Sequence, residues 1–315
     1  MSESVLTANW KIVTSCSSVK RRRDSAIYPS LKAKSLDEVC ATWITKISAS
    51  KNLSPAIATY GGRSFTEAVK AANKTGLQLY VISAGLGLVH ADQMIPNYSL
   101  TISKGEGSIA EWLERKNLNS SDWWERLNVK LNKENPIQKL VKNSDGVLFA
   151  LPSTYLDLVV KELLTLDNTN LSKIQLITSQ FGQRLLPDSL KARCIPYDER
   201  LEGSSEFKGT RNDFAQRALN HYVTQIDFRN NSIESSRAKV IDFLSKQTKP
   251  QIPARKKLDD SEIIKLIKRN WKQCEGRREG LLRHLRDTAL VACEQKRFGY
   301  LWNQVRSEHG IRLNK

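Results

Sequence analysis

Two carboxylates of this chain stand where a general base would be useful, Asp92 and Asp198. Each follows a short apolar run and turn residues, so each is expected just past the end of a buried strand. A carboxylate in such a position can activate water or stabilise the positively charged transition state of glycosidic-bond hydrolysis. Asp92 is the first candidate for this role and Asp198 the second, and a turn-forming Asp is the simpler interpretation of Asp92.

A second set of residues has side chains or backbone suited to holding a nucleobase or another polar ligand. The set comprises Ser15, Cys16, Ser17, Tyr60, Ser83, Gly85, Tyr98, Ser153 and Gln180. Glycine lets a ligand approach the backbone closely, and tyrosine offers a flat face on which a base can stack. Cys16 is also a candidate nucleophile, although no histidine lies near it in the sequence and buried cysteines are more often inert.

Basic residues near these segments are candidates for contacts with phosphate groups. They are Lys20, Arg63 and Arg211 in the N-terminal part and Lys268, Arg269, Arg283, Arg286, Lys296 and Arg297 in the C-terminal part. Gly61 and Gly62 precede a predicted helix whose N-terminus could bind a phosphate, and Ser64 and Glu67 have capping-box spacing. A well-capped helix start without a ligand explains that segment equally well.

The elements that must position these residues are strands and helices in alternation. Near-continuous apolar runs predict strands that are buried on both faces. The predicted strands are 10–15, 77–83, 146–151, 174–179 and the shorter 192–196. The predicted helices are 36–50, 65–74, 108–116, 121–133, 155–166 and 212–225. This alternation predicts an α/β fold: a Rossmann-like, mainly parallel sheet with helices on both faces.

The predicted strands place the polar residues at one edge of the sheet. In an open parallel sheet, ligands bind outside the carboxyl ends of the strands. Four of the predicted strands end in small or polar clusters, at residues 15–17, 83–85, 152–154 and 178–180. A single loop of this kind means little, because turns are rich in Ser and Gly. Four of them at one edge favour a ligand pocket there.

The chain is expected to contain two domains and a connection between them. Residues 1–227 form the predicted α/β catalytic domain, 228–258 a linker with a possible helix at 238–246, and 259–315 a small all-helical domain. The helices predicted in the last part are 260–273, 281–294 and 298–308.

The C-terminal part has the charge of a DNA-binding module. Residues 251–315 carry 16 Lys and Arg against 8 Asp and Glu, a net charge of +8. Trp271, Phe298, Tyr300 and Trp302 are interleaved with these basic residues, which favours nucleic-acid binding. A basic helical bundle that packs on the first domain is the alternative.

Composition supports a polyanionic partner and excludes several classes of protein. The 315 residues carry a formal net charge of +17 and a pI of about 9.7, which favours nucleic acid as the partner. No run approaches the ~18 apolar residues of a membrane span, and the N-terminus lacks the pattern of a secretory signal. The five cysteines form no Cys-x-x-Cys pair and the four histidines are scattered. We therefore expect no metal, no cofactor, no disulfide framework and no membrane partner, and a cytoplasmic location.

Several of these segments resemble those of a group of bacterial and phage Rossmann-like proteins. The resemblance lies in Ser15-Cys16 with Lys20, in Tyr60 with Gly62-Arg63, in residues 83–88 and in residues 95–101. The group includes domains of unknown function associated with tRNA-guanine transglycosylases and the YaaA group of the peroxide-stress response. The resemblance covers roughly residues 10–225. It implies chemistry on nucleobases, in which an N-glycosidic bond is broken, made or exchanged.

Together with a DNA-binding C-terminal part, the chain also resembles an anti-phage DNA glycosylase that excises glucosylated hydroxymethylcytosine. This implies double-stranded, modified phage DNA as the partner, a base flipped into the strand-end pocket, and an abasic site as the product. The Gly-Gln-Asp-Pro motif of the uracil-DNA glycosylases is missing, so their residue roles do not transfer.

Three hypotheses about function follow. The first is a DNA glycosylase, the second a base-exchanging transglycosylase on DNA or tRNA, and the third a non-enzymatic nucleic-acid-binding module. A lysine nucleophile with β-elimination is as compatible with the sequence as hydrolysis.

Overall fold

The computed structural model of the protein describes residues 9–308 except Arg23, Lys104, Glu106, Pro250 and Ile252. Contacts divide the chain into two units, residues 1–250 and 251–315. This division differs from the expected linker at 228–258. A helix at Ile233–Ser245 belongs to the N-terminal unit, because its Val240 and Leu244 are buried in that unit's core.

The N-terminal unit is built on a central five-stranded sheet. Within the described residues the unit as a whole has seven strands, which are β1 (Trp10–Ser15), β2 (Leu53–Pro55), β3 (Gln78–Ser83), β4 (Gly87–His90), β5 (Met94–Pro96), β6 (Gly146–Ala150) and β7 (Ile174–Ile177). Five of them form the sheet in the order β4-β3-β1-β6-β7, while β2 and β5 form a separate antiparallel pair. The pairs β3–β1, β1–β6 and β6–β7 are parallel, and β4 is antiparallel to β3.

Helices cover this sheet. They are α1 (Leu36–Ser48), α2 (Ala56–Thr59), α3 (Gly62–Thr75), α4 (Ala110–Arg115), α5 (Ser120–Lys130), α6 (Pro136–Lys142), α7 (Ser153–Leu164), α8 (Asn168–Lys173), α9 (Gln180–Leu185), α10 (Asp188–Lys191), α11 (Phe214–Gln225) and α12 (Ile233–Ser245). Short 3₁₀ helices lie at Glu199–Gly203 and Arg211–Asp213. Helix α3 packs on α11, and α5 packs on α1 and α7. Every residue of β6 is buried, and successive side chains of a strand point to opposite faces, so both faces of the sheet are covered.

After β1 the chain adds β3 on one side of it and then β6 on the other side, so the topological switch point of the sheet lies between β1 and β6. Beyond β7, Cys194 makes a parallel bridge to Leu176, so residues around it add a short fifth parallel segment. Numbered along the chain, the parallel strands then lie in the order 2-1-3-4-5, one of the common orders of doubly wound α/β folds. Ligands in such folds bind outside the carboxyl ends of the strands at the switch point.

The predicted α/β fold with a mostly parallel sheet is confirmed, and four of the predicted strands are present. The antiparallel strand β4 was not predicted. It begins at Gly87, whose φ of 69° suits glycine, and a Cβ there would lie 2.2 Å from Oδ1 of Asn128. The predicted capping box of Ser64 and Glu67 is wrong, because α3 starts at Gly62 with Gly61 as its N-cap.

The C-terminal unit combines helices with one short pair of strands. Its elements are β8 (Lys256–Lys257), α13 (Asp260–Asn270), α14 (Arg278–Arg283), β9 (Val291–Ala292) and α15 (Gln295–Glu308). The helix predicted at 281–294 is wrong as one element. The chain passes from α14 into a π-helical turn at His284–Thr288 and then into β9 after Leu290, whose φ is 51°. The unit is therefore not all-helical. No helix in the described part of the chain is long and apolar enough to cross a membrane.

Candidate active site at the carboxyl edge of the sheet

Backbone pairing holds the loop that follows β1 at both of its ends. The amide of Cys16 donates to the carbonyl oxygen of Ile82 at 2.9 Å, which extends the β1–β3 pairing by one residue. Further on, Lys20 forms an antiparallel bridge with Tyr60, immediately before the start of α3. The loop therefore holds its side chains against the ends of β1 and β3.

Hydroxyl groups from distant segments meet behind this loop. The Tyr98 hydroxyl lies 2.7 Å from the Tyr60 hydroxyl and 2.5 Å from Oγ of Ser83. The Cys16 Sγ lies 3.0 Å from the Tyr155 hydroxyl, which comes from the first turn of α7. All five residues are buried. Together with Lys20 we call them the lysine cluster.

Lys20 is the charged member of the lysine cluster. Its Nζ lies 4.9 Å from the ring centre of Tyr60 and 4.7 Å from that of Tyr98, and it donates to the carbonyl oxygen of Ser17. Burial removes water from the ammonium and lowers the pKa of Lys20, while a negative charge on Cys16 acts in the opposite direction. A lysine whose pKa is lowered holds more of the neutral, nucleophilic amine.

The three tyrosines of the cluster stay neutral. Burial raises the pKa of Tyr60, Tyr98 and Tyr155 well above the ordinary value, and a negative charge on Cys16 adds to this. Their hydroxyls therefore donate and accept hydrogen bonds but do not supply a negative charge. Among the described residues, no carboxylate makes a hydrogen bond or ion pair with the cluster.

Helix α7 and Gln216 frame the switch point from the β6 side. Helix α7 follows β6 and begins after Pro152, whose ring has no acceptor to cap it, so amide groups at its start can attract an anion. The Gln216 Nε2 donates to Oγ1 of Thr14 and to the carbonyl oxygen of Ala150, both at 3.1 Å. Its Oε1 is buried without a hydrogen-bond partner in the described residues. Gln216 thus joins α11 to β1 and β6.

Tyr155 and Gln216 were not among the residues predicted from the sequence. Tyr155 directly follows the Pro152-Ser153-Thr154 cluster at the end of β6, so a position near the carboxyl edge of the sheet could have been predicted for it. Gln216 belongs to a helix that buries nine consecutive residues, several of them polar. Polar residues throughout a buried helix are the signal that could have indicated Gln216.

Asp92 is not at this edge of the sheet, so the structure does not bring it together with the other predicted site residues. Strand β4 runs antiparallel to β3, so its end at His90 lies opposite Tyr80, near the start of β3. Asp92 follows that end and therefore lies at the amino edge of the parallel strands. Its side chain is 78% exposed and 3.7 Å from Nδ1 of His90. It cannot reach the lysine cluster from there.

Asp198 lies at the carboxyl edge of the sheet, but its carboxylate is bound by Arg200. Arg200 donates to both of its carboxylate oxygens, with distances of 2.8–3.0 Å. Burial alone would raise the pKa of Asp198, but hydrogen bonds from Arg200 outweigh it and the pKa is lowered. Asp198 follows the parallel segment beyond β7, which is three strand positions from β1. It is therefore a structural ion pair and does not contact the cluster.

The predicted base-stacking role of Tyr60 and Tyr98 and the ligand role of Gly85 do not fit the structure. Both rings are buried, and Trp43 packs edge-on against Tyr98. The Gly85 carbonyl accepts from Nε1 of Trp43 at 2.6 Å, and a Cβ on Gly85 would lie 2.8 Å from the Tyr98 ring. Gly85 is needed for close packing, and the two tyrosines form the back wall of the cluster.

The remaining predicted ligand residues divide into those at the switch point and one outside it. Ser15 is buried, with its Oγ 3.5 Å from Nε2 of Gln216, and Ser17 lies half-buried beside Lys20. Ser153 is half-buried at the start of α7. Gln180 is exposed at the start of α9, after β7, and is separated from β1 by β6.

Basic residues of the N-terminal unit take different roles from the predicted phosphate contacts. Lys20 is the half-buried member of the lysine cluster. Arg63 lies 3.2 Å from Oδ2 of the buried Asp213 and donates to the carbonyl oxygen of Lys208, so it is engaged within the protein. Arg211 is exposed. Lys20 and Arg63 would have to leave these partners to contact a phosphate, whereas the exposed Arg211 would not.

Three of the six predicted DNA-binding residues of the C-terminal unit hold that unit together. Arg297 pairs with Asp260, Arg286 donates to the carbonyl oxygen of Cys293, and Lys268 pairs with Glu308. The other three are exposed and make no ion pair with the described residues. They are Arg269, Arg283 and Lys296.

Helix α15 presents a continuous polar face to solvent. The exposed residues of this face are Lys296, Tyr300, Asn303, Gln304 and Ser307. At 3.6 residues per turn they lie within an arc of about 100°. Tyr300 is 72% exposed, and none of the five is acidic. We call this the α15 face.

Comparison with known proteins leaves the site to be interpreted from its geometry. No protein-family model matches the chain, and no curated protein matches it significantly. In the described part of the chain, no group of three His, Cys, Asp or Glu side chains is arranged to hold a metal ion.

Proposed function

We propose that the chain is a DNA glycosylase, which breaks the N-glycosidic bond of a modified base and leaves an abasic site. The observation that carries this proposal is the lysine cluster at the switch point of the sheet, where a desolvated amine lies at the place such folds use for ligands. Glucosylated hydroxymethylcytosine in phage DNA is the first substrate to test, and this choice of base depends on the resemblance described above.

The charge of the molecule supports DNA as the partner. The net charge of +17 favours a polyanion, and sequence-independent contacts with phosphates supply most of the affinity of such proteins. The target base must leave the helix stack to reach a pocket at a sheet edge. The half-buried Ser17 and Ser153, on either side of the switch point, offer hydroxyls to a base placed there.

The α15 face is the surface we assign to duplex DNA. The major groove admits an α-helix, and amide side chains such as Asn303 and Gln304 can pair with the edge of adenine. Lys296 on the same face, with no acidic partner among the described residues, is suited to a phosphate. None of the five residues of this face is a carboxylate, and Glu308 at the end of the helix pairs with Lys268, so the face is compatible with a negatively charged groove.

The proposal is tested with three purified DNAs: unmodified, hydroxymethylated, and glucosylated phage DNA. Each is incubated with the full chain and then analysed by mass spectrometry for released bases and by mild alkali for strand breaks at abasic sites. Release of a base from one modified DNA supports the glycosylase and identifies its substrate. No released base and no break on any DNA contradicts the proposal.

A labelled free base added to the same reactions separates the two other hypotheses. Incorporation of the label without strand loss indicates base exchange. Salt-sensitive binding without any change in the DNA indicates a binding module.

A further inference from the structure

We propose that Lys20 is the nucleophile of this site and forms a covalent imine with the deoxyribose, so that the protein also cleaves the DNA strand. This inference deepens the proposed function and depends on the same site. It concerns the chemical mechanism, which neither the fold nor the resemblance specifies.

The geometry favours an amine over a carboxylate as the reacting group. The two carboxylates that could have activated water are elsewhere, Asp92 at the opposite edge of the sheet and Asp198 in an ion pair with Arg200. In the described residues, the lysine cluster contains nitrogen, sulfur and hydroxyl groups but no carboxylate. Water activation by a carboxylate therefore has no candidate there, whereas an amine that can attack directly is present.

Within the cluster, Lys20 is better placed to react than Cys16. The Sγ of Cys16 lies 3.0 Å from the Tyr155 hydroxyl and its residue is only 8% exposed. Lys20 is half-buried, so its Nζ is held against the Tyr60 and Tyr98 rings yet the residue retains access to solvent. Burial lowers its pKa, which increases the share of neutral amine near neutral pH.

The reaction can be written with all atoms accounted for. The neutral amine of Lys20 attacks C1′, a C1′–N bond forms, and the N-glycosidic bond breaks. The base leaves with the bonding electron pair and takes a proton from the attacking nitrogen. The nitrogen lone pair then breaks the C1′–O4′ bond to give a protonated imine, and O4′ takes a proton from water.

Strand cleavage follows from the imine. Loss of a C2′ proton to water converts the protonated imine to an enamine. The enamine electrons then expel the C3′ oxygen, which leaves an unsaturated imine and releases the strand on the 3′ side of the site with a 5′-phosphate. Hydrolysis of the remaining imine returns the amine of Lys20. The sequence of steps needs water and no oxidant, reductant or metal.

The test uses the full chain and a duplex oligonucleotide with a single abasic site, so that the identity of the target base is not needed. Sodium cyanoborohydride is added to reduce an imine to a stable amine, and the adduct is measured on a denaturing gel and located by peptide mass spectrometry. We expect an adduct on Lys20. The Lys20→Arg and Lys20→Gln variants are expected to lose it, leaving only the background of exposed lysines.

A matched control and a folding check make the outcome decisive. Lys191→Gln removes an exposed lysine of the same unit, which pairs with Asp188, and is expected to keep the adduct. Thermal unfolding confirms that Lys20→Arg is folded. An adduct that persists undiminished in folded Lys20→Arg, or that maps to other lysines, overturns the inference.

The same experiments separate this inference from the proposed function. Base release from modified DNA without any trapped adduct leaves a glycosylase that uses water, and the lysine mechanism is then wrong. A Lys20 adduct with abasic DNA but no base release from any modified DNA leaves a strand-cleaving lyase, and the glycosylase proposal is then wrong.

Discussion

The side-chain nitrogen of Lys20 lies 4.7 Å from the centre of the Tyr98 ring, and the Tyr98 hydroxyl lies 2.5 Å from Oγ of Ser83. The three residues come from the loop after β1, the segment after β5 and the end of β3. They meet only when β1 and β3 pair in parallel register. The candidate active site is therefore a product of the assembled sheet, and its stability is tied to the hydroxyl of Tyr98.

Tyr98→Phe tests that link. The change keeps the ring beside Lys20 but removes a buried hydroxyl and leaves that of Tyr60 without this partner. We expect the free energy of unfolding to fall by about 1–3 kcal/mol, measured by urea denaturation. Tyr28→Phe, at an exposed tyrosine, is the matched control and should change it by less than about 0.5 kcal/mol. Equal effects in the two variants would contradict a structural role for the Tyr98 hydroxyl.

Much of the sheet could be predicted from the sequence, because its parallel strands are short apolar runs buried on both faces. The predicted bounds of β1 agree with the structure at both ends, and the predicted ends of the other three parallel strands agree to within two residues. Strand β4 could not be placed in this way. It is part of a hairpin with a glycine turn inside the predicted strand-end loop, and no alternation of apolar and polar residues marks it.

That hairpin is the reason why the site was only partly predicted. Residues before Gly87 stay at the carboxyl edge, as Ser83 does, while the residues directly after β4, such as Asp92, lie at the opposite edge. A prediction based on nearness in sequence therefore placed Ser83 correctly and Asp92 incorrectly. For Lys20, a run of basic residues indicated phosphate binding, whereas the bridge to Tyr60 turns this lysine inward.

Asp92→Asn is expected to have no effect on base release or stability. Its exposed side chain lies at the far edge of the sheet, and exposed substitutions usually change the free energy of unfolding by less than about 0.5 kcal/mol. Asp213→Asn is the matched change at a buried carboxylate, which lies 2.6 Å from Nε of the buried Arg217. That variant should lose about 1–3 kcal/mol, because the buried hydrogen bond from Arg217 loses its charged acceptor while Glu202 still pairs with Arg217.

Base release assays and urea denaturation of both variants check this prediction. Loss of base release in a folded Asp92→Asn variant would restore Asp92 as a catalytic residue and contradict the placement of the site described above.

His221 is expected to make the N-terminal unit less stable in acid. It is buried, its Nδ1 lies 2.6 Å from the Tyr197 hydroxyl, and its ring centre lies 3.9 Å from that of Phe243. Burial lowers the pKa of His221 from 6.5 to about 4. The unfolded chain therefore binds a proton below pH 6.5 that the folded chain does not bind until about pH 4. The free energy of unfolding should fall by about 3 kcal/mol across this window.

Urea denaturation at pH 7.5 and pH 4.5 measures this contribution. His221→Phe removes the titrating group and should show a smaller loss between the two pH values, although it is less stable at both because the Tyr197 hydroxyl loses its partner. His90→Gln is the control at a half-exposed histidine. An unchanged pH dependence in His221→Phe would contradict the prediction.

The α15 face predicts two kinds of effect on DNA binding, which different variants should separate. Lys296→Gln removes a phosphate contact, so the slope of log K against log salt should become shallower by about 1, equally for all DNA sequences. Asn303→Ala should leave that slope unchanged. It should reduce the difference in binding free energy between a preferred and a random duplex by about 1–3 kcal/mol, because a base-edge contact is lost. Fluorescence anisotropy across a salt series measures both quantities.

Net charge alone must be excluded as the cause of a changed slope. Lys246→Gln lowers the charge by the same amount at an exposed lysine directly after α12 that pairs with Asp242. If DNA lies on the α15 face, only Lys296→Gln should change the slope. An equal change in both variants means that the +17 charge attracts DNA without a defined surface. In that case α15 does not dock into a groove, and Asn303→Ala should also fail to alter sequence preference.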